Sequence, residues 1–515
     1  MPLLLRITSV KIPLDRHSST PIYLQIRSRL SHLIKSEKLA AGERLPSIRT
    51  LAECLHINKL TVIEAYSLLE ADGLISARQG SGYFVNHSTT PGVNLKSTFA
   101  PLQDVIIQEQ GRGSFFDQYT ASLQAQRQGE IIDFSSGFPR PTGLDEIQRI
   151  AKRAVVNSAD ALFKYDFPQG QLTLQKQIAQ MLVMQGLEVS TDELIITNGS
   201  EQALSLAIRY YVKPGDWVIV ETPTYHGALA ILENLGAKVI GIPMRCAGMN
   251  LELLEQYLRS HRPKLIYTIS TLHNPTGITT SPTHRQKLLS LAETYECPIL
   301  EDNAYEGLQF ESVPPPIKSL DRSDWVTYIS TFSKTLMPGL RVGYMVVTGK
   351  HYRHLVEQKL LHDLHGSTVS QAIVSEFLAS GHYRRHLNRL RTSNLQSRNA
   401  MLQALEEHFP EEISWTVPQG GLFLWTHLPD QLSIQAICRA AVSQNILVAD
   451  GAAFFPGQQG YPAMRLNFSH TPEKIEQGIS ILGRLLKNAL KPSISVTSRV
   501  SKSQTKTAKA LKVAI

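Results

Sequence analysis

Apolar residues recur at helical spacing near the start of the chain. Ile26, Leu30, Leu33 and Ile34 share one face of a helix that begins at Thr20-Pro21, a cap with proline in the first turn. Gly42 interrupts the pattern, and Ser47 caps a short second helix carrying Leu51 and Leu55. After a turn at His56-Ile57, Asn58 caps a third helix whose inward positions are Val62, Ala65, Tyr66 and Leu69; Gly73 ends it. The period then changes. Leu74 to Val85 reads as two short strands around a glycine-containing turn. Three short helices and a hairpin make a winged helix-turn-helix, which offers the N-terminal end of its third helix to the DNA major groove. Lys59 and Thr61 stand at that end, in reach of phosphates or base edges. Arg78 with Gly80 and Gly82 forms a wing tip where backbone can approach DNA. A helical dimerisation module is the alternative reading of the same pattern.

From 131 to 489 strand-length apolar runs alternate with helical patterns. The strands are Leu194-Thr197, Trp217-Val220, Lys238-Ile242, Leu265-Thr268, Pro298-Glu301, Val326-Ile329 and Val342-Val347. The alternation predicts an α/β fold, a mostly parallel sheet covered by helices. Sites in such sheets gather at the C-terminal ends of the strands. Four polar clusters fall there: Gly199-Ser200, Asn274-Pro275-Thr276-Gly277, Asp302 with Tyr305, and Ser333-Lys334. Between the two regions, residues 87–130 hold Pro91, Gly92, Gly111, Gly113 and Gly129 and sustain no period. They read as a linker with one or two short helices, such as 114–127. The second half reads equally well as a segment packed on the next domain.

Length adds that 515 residues make two to four domains. No apolar run approaches the roughly 18 residues of a spanning helix, and the opening MPLLLRITSVKIPLD lacks the apolar block of a signal peptide. A cytoplasmic protein with no membrane partner is expected. Cys54, Cys246, Cys297 and Cys438 lie far apart with no CxxC pair, so reduced thiols are expected, without a disulfide framework or a metal site. The net charge of +8 is uneven. Residues 1–86 carry +4 and residues 491–515 carry +6, which leaves −2 for the body. A basic head and tail on a neutral body suit a nucleic-acid reader joined to an ordinary α/β domain. The tail, 490–515, reads as disordered, with lysines available to a phosphate backbone.

The densest chemistry lies in Ser330-Thr331-Phe332-Ser333-Lys334 and the Arg341 beyond it. A lysine among hydroxyls, with an arginine seven residues on, suits a cofactor bearing an aldehyde and a phosphate. Lysine forms a Schiff base; hydroxyls and arginine hold the phosphate. Asp302, after a buried strand, suits the protonated ring nitrogen of pyridoxal 5'-phosphate (PLP).

The chain carries two resemblances. Leu45-Pro46-Ser47-x-Arg49, Thr61-Val62-x-x-Ala65-Tyr66-x-x-Leu69-Glu70-x-x-Gly73 and Gly80-Ser81-Gly82 together resemble the DNA-binding head of GntR-type regulators, from about Pro21 to Val85. The likeness implies that Ser47, Arg49, Lys59, Thr61, Arg78 and Gly80 face double-stranded operator DNA. His56 stands where Gly is usual in the turn, and Lys59-Leu60 where Arg-Asn is usual, so the operator sequence does not carry over. The ordered set in 131–489 resembles fold-type I PLP-dependent aminotransferases, with a smaller C-terminal α+β subdomain. It implies that Lys334 is the aldimine lysine, Asp302 pairs with the ring nitrogen, and Asn274 and Tyr305 bond the ring hydroxyl. Tyr225 would stack on the ring. Gly199, Ser200, Glu201, Ser333 and Arg341 would bind the phosphate. Tyr165 would reach the phosphate of a partner subunit, which implies a homodimer, and Arg465 would grip a substrate carboxylate. Glu201 replaces a common Gln, a change that a backbone contact survives.

Head and body together resemble the MocR-type branch of the GntR regulators. Many of its members have an aromatic residue before Pro-Thr-Gly; this chain has Asn274, as the enzymes do. The preferred reading is a transcription regulator whose aminotransferase-like domain senses an amino acid, another carboxylate effector or PLP itself. A working aminotransferase, moving an amino group between an amino acid and a 2-oxo acid, is the alternative. A scaffold with a decayed pocket is the third.

Overall fold

The computed structural model describes residues 14–16, 21–35, 38–40, 42–71, 74–78, 82–86, 103–108, 120, 131–158, 162, 164–245 and 247–491. In the head, α1 (Ile22–Lys35), α2 (Ile48–Leu55) and α3 (Lys59–Ala71) pack beside the antiparallel hairpin of β1 (Ile75–Arg78) and β2 (Gly82–Val85). Ile26, Val62, Ala65, Tyr66 and Leu69 are fully buried among them. The caps expected at Ser47 and Asn58 form, and Thr20 lies outside the described residues. Ser47 Oγ accepts from the Thr50 amide at 3.1 Å, and Asn58 Oδ1 from the Leu60 amide at 2.9 Å. His56 adopts the left-handed conformation, φ 51°, that a glycine normally supplies in this turn. Gly73, Gly80 and the hairpin turn lie outside the described residues.

The body adds β3 (Ile106–Gln108), β4 (Ile132–Asp133), α4 (Leu144–Asn157), α5 (Leu172–Val183), β5 (Leu194–Thr197), α6 (Ser200–Tyr211), β6 (Trp217–Thr222) and α7 (His226–Leu235). Next come β7 (Lys238–Arg245), β8 (Gly248–Met249), α8 (Leu251–His261), β9 (Leu265–Thr268), α9 (Pro282–Thr294), β10 (Ile299–Asp302), β11 (Val326–Thr331) and β12 (Gly343–Val346). The main sheet has the order β3-β7-β6-β9-β10-β11-β12-β5, with β8 beside β7. β7, β6, β9, β10 and β11 run parallel, and β12 lies antiparallel between β11 and β5.

Both faces of this sheet are covered, so its strands read as unbroken apolar runs. Successive side chains still part to opposite layers. Val218 and Val220 pack with α6 and α7, while Ile219 between them packs with α8 and α9. Likewise Ile195 joins the first layer, and Leu194 and Ile196 join α4, α5 and α11 (Thr368–Ala379).

α10 (Lys350–Asp363) precedes α11, and the long α12 (His382–His408) leads to the smaller subdomain. Its elements are β13 (Ser414–Trp415), β14 (Phe423–His427), α13 (Ile434–Val442), β15 (Ile446–Leu447), β16 (Ala449–Asp450), β17 (Ala463–Asn467) and α14 (Pro472–Leu490). The antiparallel order is β13-β14-β17-β16, and β15 pairs with β4. This is the expected α+β subdomain.

The stretch expected to be linker is not linker throughout. Ile106–Gln108 is an edge strand antiparallel to β7. Three residues are too few to display a period of two, so its pairing was not legible. Of the expected helix at 114–127, all but Thr120 lies outside the described residues, as does the tail from 492.

The head rests on the body. Leu68 joins the core of the smaller subdomain, with Tyr23 and Leu24 packed against it. Asn388 of α12 donates to Glu64 of α3 at 2.5 Å, and Arg27 pairs with Glu311 at 3.4 Å.

Candidate active site

The C-terminal edge of the parallel strands opens on a cleft of about 550 Å³, its open mouth included. Phe138, Ser200, Glu201, Tyr225, Asn274, Asp302, Tyr305, Ser333, Lys334 and Arg341 line it, with Ile269, Ala304 and Pro338. Nine of these are sequence candidates. Strand topology gathers them: β10 ends at Asp302, β11 runs into Ser333-Lys334, β9 leads to Asn274, β6 to Tyr225, and β5 to the N-terminus of α6.

Lys334 donates to the carbonyl of Gly137 at 2.8 Å. Burial holds its ammonium down to about 8, and Arg465 and Arg341 act in the same direction against Glu201 and Asp302. Burial pushes the Asp302 carboxyl up to about 7; one oxygen accepts from Tyr267 at 2.9 Å, and Oδ1 is enclosed with no hydrogen-bond partner. A buried acceptor left unmatched is costly, so this atom is suited to a donor brought by a ligand.

At the N-terminus of α6, Gly199 has φ 77°, and a Cβ there would lie 2.5 Å from Nη2 of Arg341. Only glycine leaves the guanidinium its place. Arg341 donates to the Asn198 carbonyl at 3.1 Å and reaches Ser333 Oγ at 3.4 Å. Helix N-terminal amides, two hydroxyls and a guanidinium make a cup for an anion. Tyr225 donates a short hydrogen bond to Glu201, at the rim of that cup.

Arg465 lies behind Asn274, to which it donates at 3.0 Å. Its guanidinium also lies over the rings of Phe423 at 4.0 Å and Phe454 at 4.9 Å. Tyr165 stays outside this chain's cleft: it is 87% exposed and meets the ring edge of His365, 5.7 Å away. In the head, Arg49, Lys59 and Arg78 are exposed; Arg49 pairs with Glu53 at 2.9 Å, and Arg78 lies over Phe84 at 4.6 Å.

Sequence reasoning missed Phe138, the Gly137 carbonyl and Tyr267. Tyr267 did leave a signal: a phenol inside an apolar strand needs a partner, and here the partner is Asp302.

Residues 129–482 match the model of aminotransferase class I and II, and residues 22–85 that of the gntR family of bacterial regulatory proteins. Over 475 residues the chain is 33% identical to the uncharacterized HTH-type transcriptional regulator YdcR of Escherichia coli, covering 91% of this chain and 99% of that one. The chain belongs to the MocR-type GntR regulators. Other members of the aminotransferase class resemble the body of this GntR regulator alone. Aromatic-amino-acid aminotransferase 1 of Thermococcus litoralis is 34% identical over 72% of this chain and 91% of its own. The alpha-aminoadipate aminotransferase LysN of Thermus thermophilus, solved with N-(5'-phosphopyridoxyl)-L-leucine, superposes with a TM-score of 0.67 at 31% identity, over 73% of this chain and 99% of that one. The MocR-type body is therefore a fold-type I aminotransferase domain.

Proposed function

We propose that this regulator binds operator DNA through its head and PLP at Lys334, and that an amino acid or other carboxylate held by Arg465 alters the DNA affinity. The observation that carries the reading is the pairing of Lys334, its ammonium held low, with the unmatched Oδ1 of Asp302 in one cleft. The residues present fit PLP. Asp302 would take the ring nitrogen, Asn274 and Tyr305 the ring hydroxyl, and Tyr225 the ring face. Gly199, Ser200, Glu201 (through its amide), Ser333 and Arg341 would take the phosphate. When bound, PLP supplies an aldehyde that condenses with amines and a ring that draws electrons from the attached carbon.

The chain's own groups do the rest. Lys334 loses its proton near pH 8, which makes it a nucleophile close to neutral pH. Arg465, buried with Nη1 on Asn274, offers a carboxylate a charged fork in a dry place. An effector regulates only as far as it binds one head–body arrangement better than another.

A second copy of the chain is the proposed partner. Tyr165 and Phe167 are 87% and 70% exposed, and Leu361 and Leu364, near the His365 that Tyr165 touches, are 88% and 54% exposed.

Titrating PLP into the full chain should raise a visible absorbance band that Lys334→Ala lacks. Amino acids added singly should change that band and the retardation of duplex DNA together. Colourless protein after PLP rejects the cofactor role; retardation indifferent to every amino acid and to PLP rejects sensing. A second reading, catalytic transamination, is favoured by the Asn274–Arg465 bond, which presents both groups to one substrate. Lys334 would then also take the proton from the α-carbon of the amino acid and, in the return half, give one to the α-carbon derived from the 2-oxo acid. Sustained turnover of an amino acid with a 2-oxo acid tests it.

A further inference from the structure

Two apolar side chains stand bare on the opening turns of α3. Leu60 is 68% exposed and Ile63 40% exposed. The inward face of this helix is Val62, Ala65, Tyr66 and Leu69, all fully buried, and at about 100° per residue position 60 points roughly opposite to it. One and two turns further along the same stripe, Glu64 is bonded to Asn388 and Leu68 is buried in the body. Among the described residues Leu60 has no such cover. Asn58 fixes it there, because its side chain and carbonyl accept from the amides of Leu60 and Thr61 at 2.9 and 3.1 Å and start the helix at that point.

The surroundings name the occupant. Lys59 beside it is exposed, and the exposed Arg49 and Arg78 belong to the same head. An apolar side chain next to an exposed lysine at the N-terminus of a recognition helix, in a head that carries further exposed cations, suits duplex DNA. A leucine gains nothing from a phosphate or from a polar base edge. The one feature of the major groove that an aliphatic side chain matches is the C5-methyl group of thymine.

We infer that Leu60, backed by Ile63, reads thymine methyl groups in the operator. The inference rests on the DNA-binding reading of the head and adds to it which base feature is recognised.

The test uses the full chain. Duplexes are selected from a random-sequence library, and a selected duplex is resynthesised with deoxyuridine replacing one thymidine at a time, which removes only the methyl. At one or two positions the substitution should weaken binding about fourfold, the worth of one buried methyl. Leu60→Ala and Leu60→Asn, at an exposed site that leaves the fold intact, should bind thymine and uracil duplexes equally at those positions. Uracil tolerated at every position by a wild-type chain that still binds the selected duplex overturns methyl readout and leaves DNA binding standing. Failure to select any duplex overturns the DNA-binding reading itself.

Discussion

Arg465 donates to the side-chain oxygen of Asn274 at 3.0 Å and to the Ser135 carbonyl at 2.5 Å, while its enclosed Nε has no hydrogen-bond partner. Among the described residues no carboxylate lies within ion-pair distance of it. A buried guanidinium matched only by neutral acceptors keeps much of its desolvation cost, and burial pulls it down to about 10. A ligand carboxylate would offset that cost. Arg465→Gln should weaken the amino-acid response roughly 10- to 100-fold, the worth of one or two charge-assisted bonds. The PLP absorbance should survive; spectral titration reads both.

Asp302 gives a pH dependence. Burial raises its carboxyl from 3.8 to about 7, so the folded chain prefers the neutral form. That contribution is fully present below about 3.8 and is lost as pH rises through about 7. Glu306, raised to about 7 by burial, acts in the same direction. His226 and His427, pulled down by burial to about 3 and about 4, act the opposite way below their ordinary 6.5. The difference between proteins is therefore the measurement. Calorimetry of the cofactor-free chain should find Asp302→Asn gaining stability over wild type as pH rises from 4 to 8. Parallel curves would contradict this.

The Tyr225–Glu201 bond sets an acid at the rim of the anion cup. Its charge opposes a phosphate bound there. Glu201→Gln keeps an acceptor for Tyr225 and removes the charge, so PLP should bind several-fold tighter, equivalent to about 1 kcal/mol. Equilibrium dialysis with PLP measures it; weaker binding would mean that the carboxylate serves the site instead.

Leu68 sits on the recognition helix yet packs in the body's core rather than the head's. Leu68→Ala should cost about 2–4 kcal/mol of head–body docking. Hydrogen exchange should then quicken along α3 and α12 while the PLP band is unchanged. Uniform exchange across the body would show a general loss of stability instead.

The elements and most of the chemistry were legible because each is encoded locally. Caps at Ser47 and Asn58 act within three residues, and the apolar runs of β5 to β12 stand out once both faces of the sheet are buried. Lys334, Asp302 and Asn274 were nameable because the C-terminal edge of a parallel sheet is a fixed place in the topology. Features that depend on long-range pairing were not legible. Three residues at Ile106–Gln108 carry no pattern and become a strand only against β7. Tyr267 looks like any buried tyrosine until Asp302 arrives from the next strand, and Leu68 looks like a head residue until α12 covers it. Sequence determined which segments form helix or strand and which residue types stand at the strand ends, since those depend on neighbours in the chain. Tertiary structure alone decided the unmatched Oδ1 of Asp302, the lowered ammonium of Lys334 and the seat of the head, since burial is a property of what packs around a group.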